Sequence, residues 1–152
     1  MPAVVDGFAI LGHYQNEVVK VNLQDHTIDW RFADRDFPYV SGASISGDRV
    51  VVGSRARRVY CLDRKTGEQL WAFRCRGGVD SSPIIAGNRV VFGGSDGKVY
   101  ILTLDTGEQI WAYEIGEAIT ASPALVDGLL VIASEDGNVY GFVPAEVSQD
   151  DG

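Results

Sequence analysis

Cysteine and histidine are scarce in this chain of 152 residues. There are two of each: Cys61, Cys75, His13 and His26. Two cysteines cannot build a disulfide framework or a four-ligand zinc site. The two histidines lie in one segment and are expected on opposite rims of it, which argues for surface positions rather than a shared metal site or a triad. Basic charge is in deficit, with 13 Lys+Arg against 21 Asp+Glu and a net charge of −8. That balance excludes a general affinity for nucleic acid or anionic membrane. No apolar run approaches the roughly 18 residues needed to span a bilayer. The start, Met1-Pro2-Ala3-Val4-Val5-Asp6, has no basic region leading into an apolar one, so no secretory signal is expected in this chain. No window sustains a 3.6-residue apolar period over helical length, so no helix is expected. Gly77-Gly78 and Gly93-Gly94 lack the spacing and the following helix of a phosphate loop.

What is present is self-similarity. Displacing the chain by 40 residues lays Trp71 on Trp111, Tyr60 on Tyr100 and Tyr140, and Thr66-Gly67-Glu68-Gln69 on Thr106-Gly107-Glu108-Gln109. The opening segment joins with a slip of one residue, Gly12 on Gly53 and Trp30 on Trp71. The chain reads as one segment, 1–152, of four units at about 1–40, 41–80, 81–120 and 121–152. The last unit ends before a Trp-bearing outer strand is recognisable. Each unit breaks into short runs rich in Val, Ile, Tyr and Phe, separated by Gly, Asn and Asp turns. Val50-Val51-Val52 and Val90-Val91-Phe92 are apolar at consecutive positions, which requires cover on both faces of the strand. Stacked four-stranded sheets supply that cover. The expected fold is all-β: a β-propeller of four-stranded antiparallel blades, either a partial propeller or half of a dimeric eight-bladed ring.

The run Val59-Tyr60-Cys61-Leu62-Asp63-Arg64-Lys65-Thr66-Gly67-Glu68-Gln69-Leu70-Trp71 resembles the repeat of the pyrroloquinoline-quinone-like (PQQ-like) propellers, as does Ser95-Asp96-Gly97-Lys98-Val99-Tyr100. That family includes quinoprotein alcohol dehydrogenases and non-catalytic lipoproteins that assemble outer-membrane proteins. The resemblance is weakest in the first unit, where Thr27-Ile28-Asp29-Trp30 lacks the glycine. It implies structural roles for Gly67 and Gly107 in turns, and for Trp30, Trp71 and Trp111 as rings docked between blades. Trp30 is expected to tolerate change best, because its unit departs most from the repeat. Asp96-Gly97 and Asp136-Gly137 read as hairpin turns rather than calcium loops. Ser41, Ser81 and Ser82 recur beside the innermost strand and read as structural.

Dehydrogenases of the family commonly carry a Cys-Cys pair, calcium ligands and a catalytic Asp. This sequence has no Cys-Cys and no candidate calcium cluster, so no catalytic residue, cofactor or metal is assigned. Cys61 and Cys75 read as buried thiols in preference to a disulfide. Candidate function lies where the units differ. Unit two has Ser54-Arg55-Ala56-Arg57-Arg58 where its sisters have Ser-Asp-Gly turns, and adds Arg74 and Arg76. Unit one contributes His13 and Tyr14, and Phe37 and Tyr39 from a linker one residue longer than its counterparts. Two readings stand: a solvated turn that keeps sheet edges apart, or a rim that binds an acidic peptide or other anion, with Tyr14, Phe37 and Tyr39 as anchors.

The resulting expectation is a non-enzymatic protein-binding or assembly scaffold. The alternative is a fragment of a quinone-dependent dehydrogenase whose catalytic residues lie outside this chain. Apolar end blades imply a homodimer or docking to further blades. The resemblance points to the periplasm or another extracytoplasmic space, while the missing signal fits equally a cytosolic protein or a trimmed leader.

Overall fold

The computed structural model describes residues 1–144, and it is entirely β-structure. Blade one holds β1 (Ala3–Val5), β2 (Phe8–His13), β3 (Glu17–Asn22) and β4 (Ile28–Phe32). Blade two holds β5 (Ser44–Ser46), β6 (Arg49–Ser54), β7 (Arg58–Asp63) and β8 (Gln69–Arg74). Blade three holds β9 (Ile84–Ala86), β10 (Arg89–Gly93), β11 (Lys98–Thr103) and β12 (Gln109–Glu114). The described part of blade four holds β13 (Ala124–Val126), β14 (Leu129–Ala133) and β15 (Val139–Phe142). Every sheet is an antiparallel meander in chain order. The expected lack of an outer strand in unit four falls on residues outside those described.

The hairpins follow from their turn residues. Asp6-Gly7 and Asp127-Gly128 take positive φ at both positions (48° and 79°, 48° and 80°), the turn whose twist matches that of paired strands. Three blades carry an irregularity at the same place, after Lys20, Cys61 and Ile101, beside the residue that pairs with the outer-strand Trp.

Apolar cores lie between blades. Ile10, Val18 and Trp30 of blade one meet Val50, Val52, Tyr60 and Leu62 of blade two. The other face of blade two, with Val51, Val59 and Trp71, meets Val90, Phe92 and Leu102. Consecutive apolar residues are therefore needed in β6 and β10, and Val50, Val51 and Val52 are all fully buried.

Two recurring contacts lock neighbouring blades. The Trp30 Nε1–H donates to the Arg64 carbonyl at 2.9 Å, and the Trp71 Nε1–H to the Leu104 carbonyl at 2.7 Å. Each ring lies on the glycine of the next blade's turn. A methyl on Gly107 would sit 2.5 Å from Trp71 Cδ2, and φ there is +73°, so two independent constraints demand glycine. Ser41 Oγ accepts from Gly53 N–H at 2.8 Å and donates to its carbonyl at 3.0 Å, and Ser81 does the same to Gly93. Ser82 Oγ accepts from Gly42 N–H at 2.7 Å, stitching blade two to blade three.

The expected tolerance of Trp30 is corrected. Trp30 and Trp71 are equally buried at 8% exposure, whereas Trp111 is only half-buried. Trp111 instead packs edge-on against Phe142, with centroids 5.4 Å apart.

Candidate functional site

The rim is built where β2–β3 and β6–β7 turn and where the linkers leave β4 and β8. Arg35, Phe37, Arg55, Arg57, Arg58 and Arg74 line one cleft of about 370 Å³. Arg57, Arg74, Cys75 and Arg76 line a second hollow of about 410 Å³. The structure therefore brings together Phe37 and all five of the arginines singled out in the sequence.

Those arginines divide into two sets. Arg55 makes a forked pair with Asp80, Nε and Nη2 each 2.9 Å from a carboxylate oxygen. Those charged hydrogen bonds raise the pKa of Arg55 above its ordinary value. Arg58 lies 3.4 Å from Asp34. Among the described residues, Arg57, Arg74 and Arg76 have no carboxylate within ion-pair distance, and all three are exposed.

Sequence reasoning missed Asp34. In blades three and four a turn aspartate accepts the tyrosine hydroxyl four residues on: Tyr100 to Asp96 at 2.6 Å, Tyr140 to Asp136 at 2.5 Å. Blade two has Ala56 at that place, and its Tyr60 donates instead to Asp34 from the linker, at 2.9 Å. The longer linker thus returns the carboxylate that the arginine-rich turn removed. Burial first, and that hydrogen bond second, push the Tyr60 hydroxyl well above its ordinary range. Asp96 and Asp136 accept hydrogen bonds within their turns, in line with the hairpin reading, and Asp96 also accepts the Arg76 N–H at 3.2 Å.

Tyr39 is not an anchor. It is fully buried, its ring packed with Phe32 and Tyr60, and its hydroxyl sits 3.2 Å from the Asp34 N–H that donates to it. The 40-residue offset could have revealed this, because Tyr39 falls on Val79 and Ile119, both also fully buried. Each plugs against a glycine of the neighbouring strand: Tyr39 on Gly12, Val79 on Gly53, Ile119 on Gly93. Phe37 is 48% exposed in the cleft, whereas Tyr14, 76% exposed, and His13 do not line it. The His13 Nδ1 accepts the Gln15 N–H at 3.1 Å.

Cys61 and Cys75 are buried free thiols. Desolvation pushes the Cys75 thiol up to about 12 and the Cys61 thiol to about 11, so neither is a nucleophile at neutral pH despite the arginines beside Cys75. Among the described residues, no three His, Cys, Asp or Glu side chains group closely enough to hold a metal ion. No helix among the described residues is long and apolar enough to cross a membrane.

Known proteins share this fold. The family of the outer membrane protein assembly factor BamB matches residues 14–150. BamB from Moraxella catarrhalis superposes at a TM-score of 0.81 with 25% identity, over 93% of this chain. The chain spans 45% of that BamB. The computationally designed Ika4 protein matches at 0.83 and 17% identity, over 95% of this chain and 89% of its own. A europium-containing methanol dehydrogenase matches at 0.64 and 19% identity, over 73% of this chain and 23% of its own, a likeness of fold alone. No curated protein is similar in sequence. The repeat, the ring-on-glycine locks and a family match over nearly the whole length agree: the chain belongs to the PQQ-like propeller family of the outer membrane protein assembly factor BamB.

Proposed function

We propose that this chain is a non-enzymatic scaffold of the assembly-factor type, which holds a protein partner on the rim of its first two blades. The observation that carries the reading is the family match over residues 14–150, joined to a rim whose arginines replace the repeat's ordinary turn residues. A rigid stack of blades with divergent loops is suited to recognition. The family match supports a place of work in the periplasm, at the outer membrane. We further propose that a second copy covers the free face of blade four. Val126 and Val139 are 63% and 69% exposed, yet 40 positions earlier Ala86 is half-buried and Val99 is fully buried, Val99 packed with Leu130 and Ile132 of blade four.

One other reading stands beside it, a segment of a quinone-dependent enzyme of the kind that the PQQ-like resemblance includes. Dye-linked alcohol oxidation with added pyrroloquinoline quinone and calcium separates the two. The scaffold reading predicts no turnover and no spectral change on titrating the quinone; saturable quinone binding with turnover would overturn it.

A further inference from the structure

We propose that the cleft beside Phe37, together with the hollow that shares Arg57 and Arg74 with it, binds a short acidic peptide segment, its carboxylates held by Arg57 and Arg74 and, in the hollow, Arg76, with an apolar side chain seated on Phe37. This rests on the scaffold reading and names the chemistry of the partner.

Blade two breaks two local rules at this spot. Arg58 and Arg74 occupy directly opposed positions on β7 and β8. Like charges placed so destabilise a sheet. Blade three shows the ordinary solution at the same register, Lys98 opposite Glu114, their charged groups 3.6 Å apart. Arg57 is held at φ +62°, where blade one has Asn16 at +67° and blades three and four have Gly97 at +79° and Gly137 at +85°. A long side chain in the left-handed region is strained. Both departures set an arginine facing the same opening, and a bound carboxylate would relieve the first. Local rules broken together mark a functional site better than either alone.

The remaining geometry suits a peptide. Asp80 and Asp34 hold Arg55 and Arg58 in place, so the floor is preorganised while the three other arginines keep free donors. Guanidinium groups receive carboxylates in forked pairs. Phe37, half exposed beside them, offers an apolar seat that an inorganic anion cannot use. The net charge of −8 repels an extended polyanion, which favours a short segment whose charge is met locally.

The test uses a fluorescein-labelled peptide of about eight residues, Glu and Asp with two Leu, followed by anisotropy at about 50 mM and 300 mM salt. The control peptide carries Gln and Asn instead. Two variants are compared, Arg57→Gly and Arg74→Glu. Each is expected to weaken binding about tenfold. Each should also raise Tm by about 1–4 °C, because one removes the strain and the other sets a carboxylate opposite Arg58. Residual binding should depend less on salt. A lower Tm in both variants, unchanged affinity, or no binding by the wild type at low salt would overturn the proposal. Displacement by inorganic phosphate at equal charge concentration would overturn the peptide in favour of a general anion site. Failure here without quinone turnover leaves the scaffold reading intact, whereas turnover removes that reading whatever the peptide does.

Discussion

Replacing Trp71 by Ala removes the ring that locks blade two to blade three. Trp71 is only 8% exposed, its Nε1–H is bonded to the Leu104 carbonyl at 2.7 Å, and its ring rests on Gly107. Large aromatic deletions in a core cost about 3–5 kcal/mol. The orphaned Leu104 carbonyl adds to that, so the upper part of the range applies. Trp30 has the same burial and the same type of bond, and Trp30→Ala should cost as much. Trp111 is half-buried, and no bond from its Nε1–H is made among the described residues. Trp111→Ala should therefore cost about half as much, roughly 1.5–2.5 kcal/mol. Guanidinium unfolding followed by circular dichroism, with matched m-values, reads all three. Coupling can be isolated as well. Gly107→Ala forces a methyl into the Trp71 ring and strains φ; in the Trp71→Ala background only the strain of about 1–2 kcal/mol remains. A Trp111→Ala as costly as Trp71→Ala, or strictly additive Gly107 and Trp71 changes, would refute the ring-on-glycine lock.

Three further outcomes are expected. With its thiol pushed up to about 12 by burial, Cys75 is on the order of 10⁻⁴ thiolate at pH 8, and it should resist alkylation by iodoacetamide until the chain unfolds; prompt modification of the native protein would contradict this. The Asp63 carboxylate accepts the Thr66 and Lys65 N–H groups, Thr66 contributing most, which holds its carboxyl below the ordinary range. Stability from such a group is complete above the unfolded-state value and lost as pH falls through the folded one, so Asp63→Asn should make Tm fall less steeply below about pH 4, and an unchanged slope would count against the turn's role. Light scattering behind a sizing column should report about twice 16.5 kDa at micromolar concentration, with Val139→Glu returning the chain to monomer; a well-folded wild-type monomer would refute pairing through blade four.

The architecture was legible because the turns and rings that build it recur. Trp71 and Trp111, Tyr60 and Tyr100, and Gly67 and Gly107 announce the period, and consecutive Val residues announce strands covered on both faces. The rim was legible in its arginines, since they interrupt a repeated turn. It was misread at Tyr39, whose place in the longer linker of unit one suggested an anchor. Its burial follows from the plug position it shares with Val79 and Ile119. Asp34 could not be recognised alone, because its role arises only when Ala56 leaves Tyr60 without a carboxylate. The burial ranking of the three Trp depends on what each next blade supplies, and no residue of the Trp-bearing strand itself encodes that.

The claim that function resides on the arginine rim is tested most directly by ¹H–¹⁵N correlation spectra recorded while the acidic peptide is titrated in. Perturbations should be confined to backbone amides of 35–37, 55–58 and 74–76, grouping the linker after β4 with the β6–β7 turn and the end of β8. Perturbations at the opposite rim, around 23–27, 64–67 and 104–107, or spread evenly over all blades, would contradict the account.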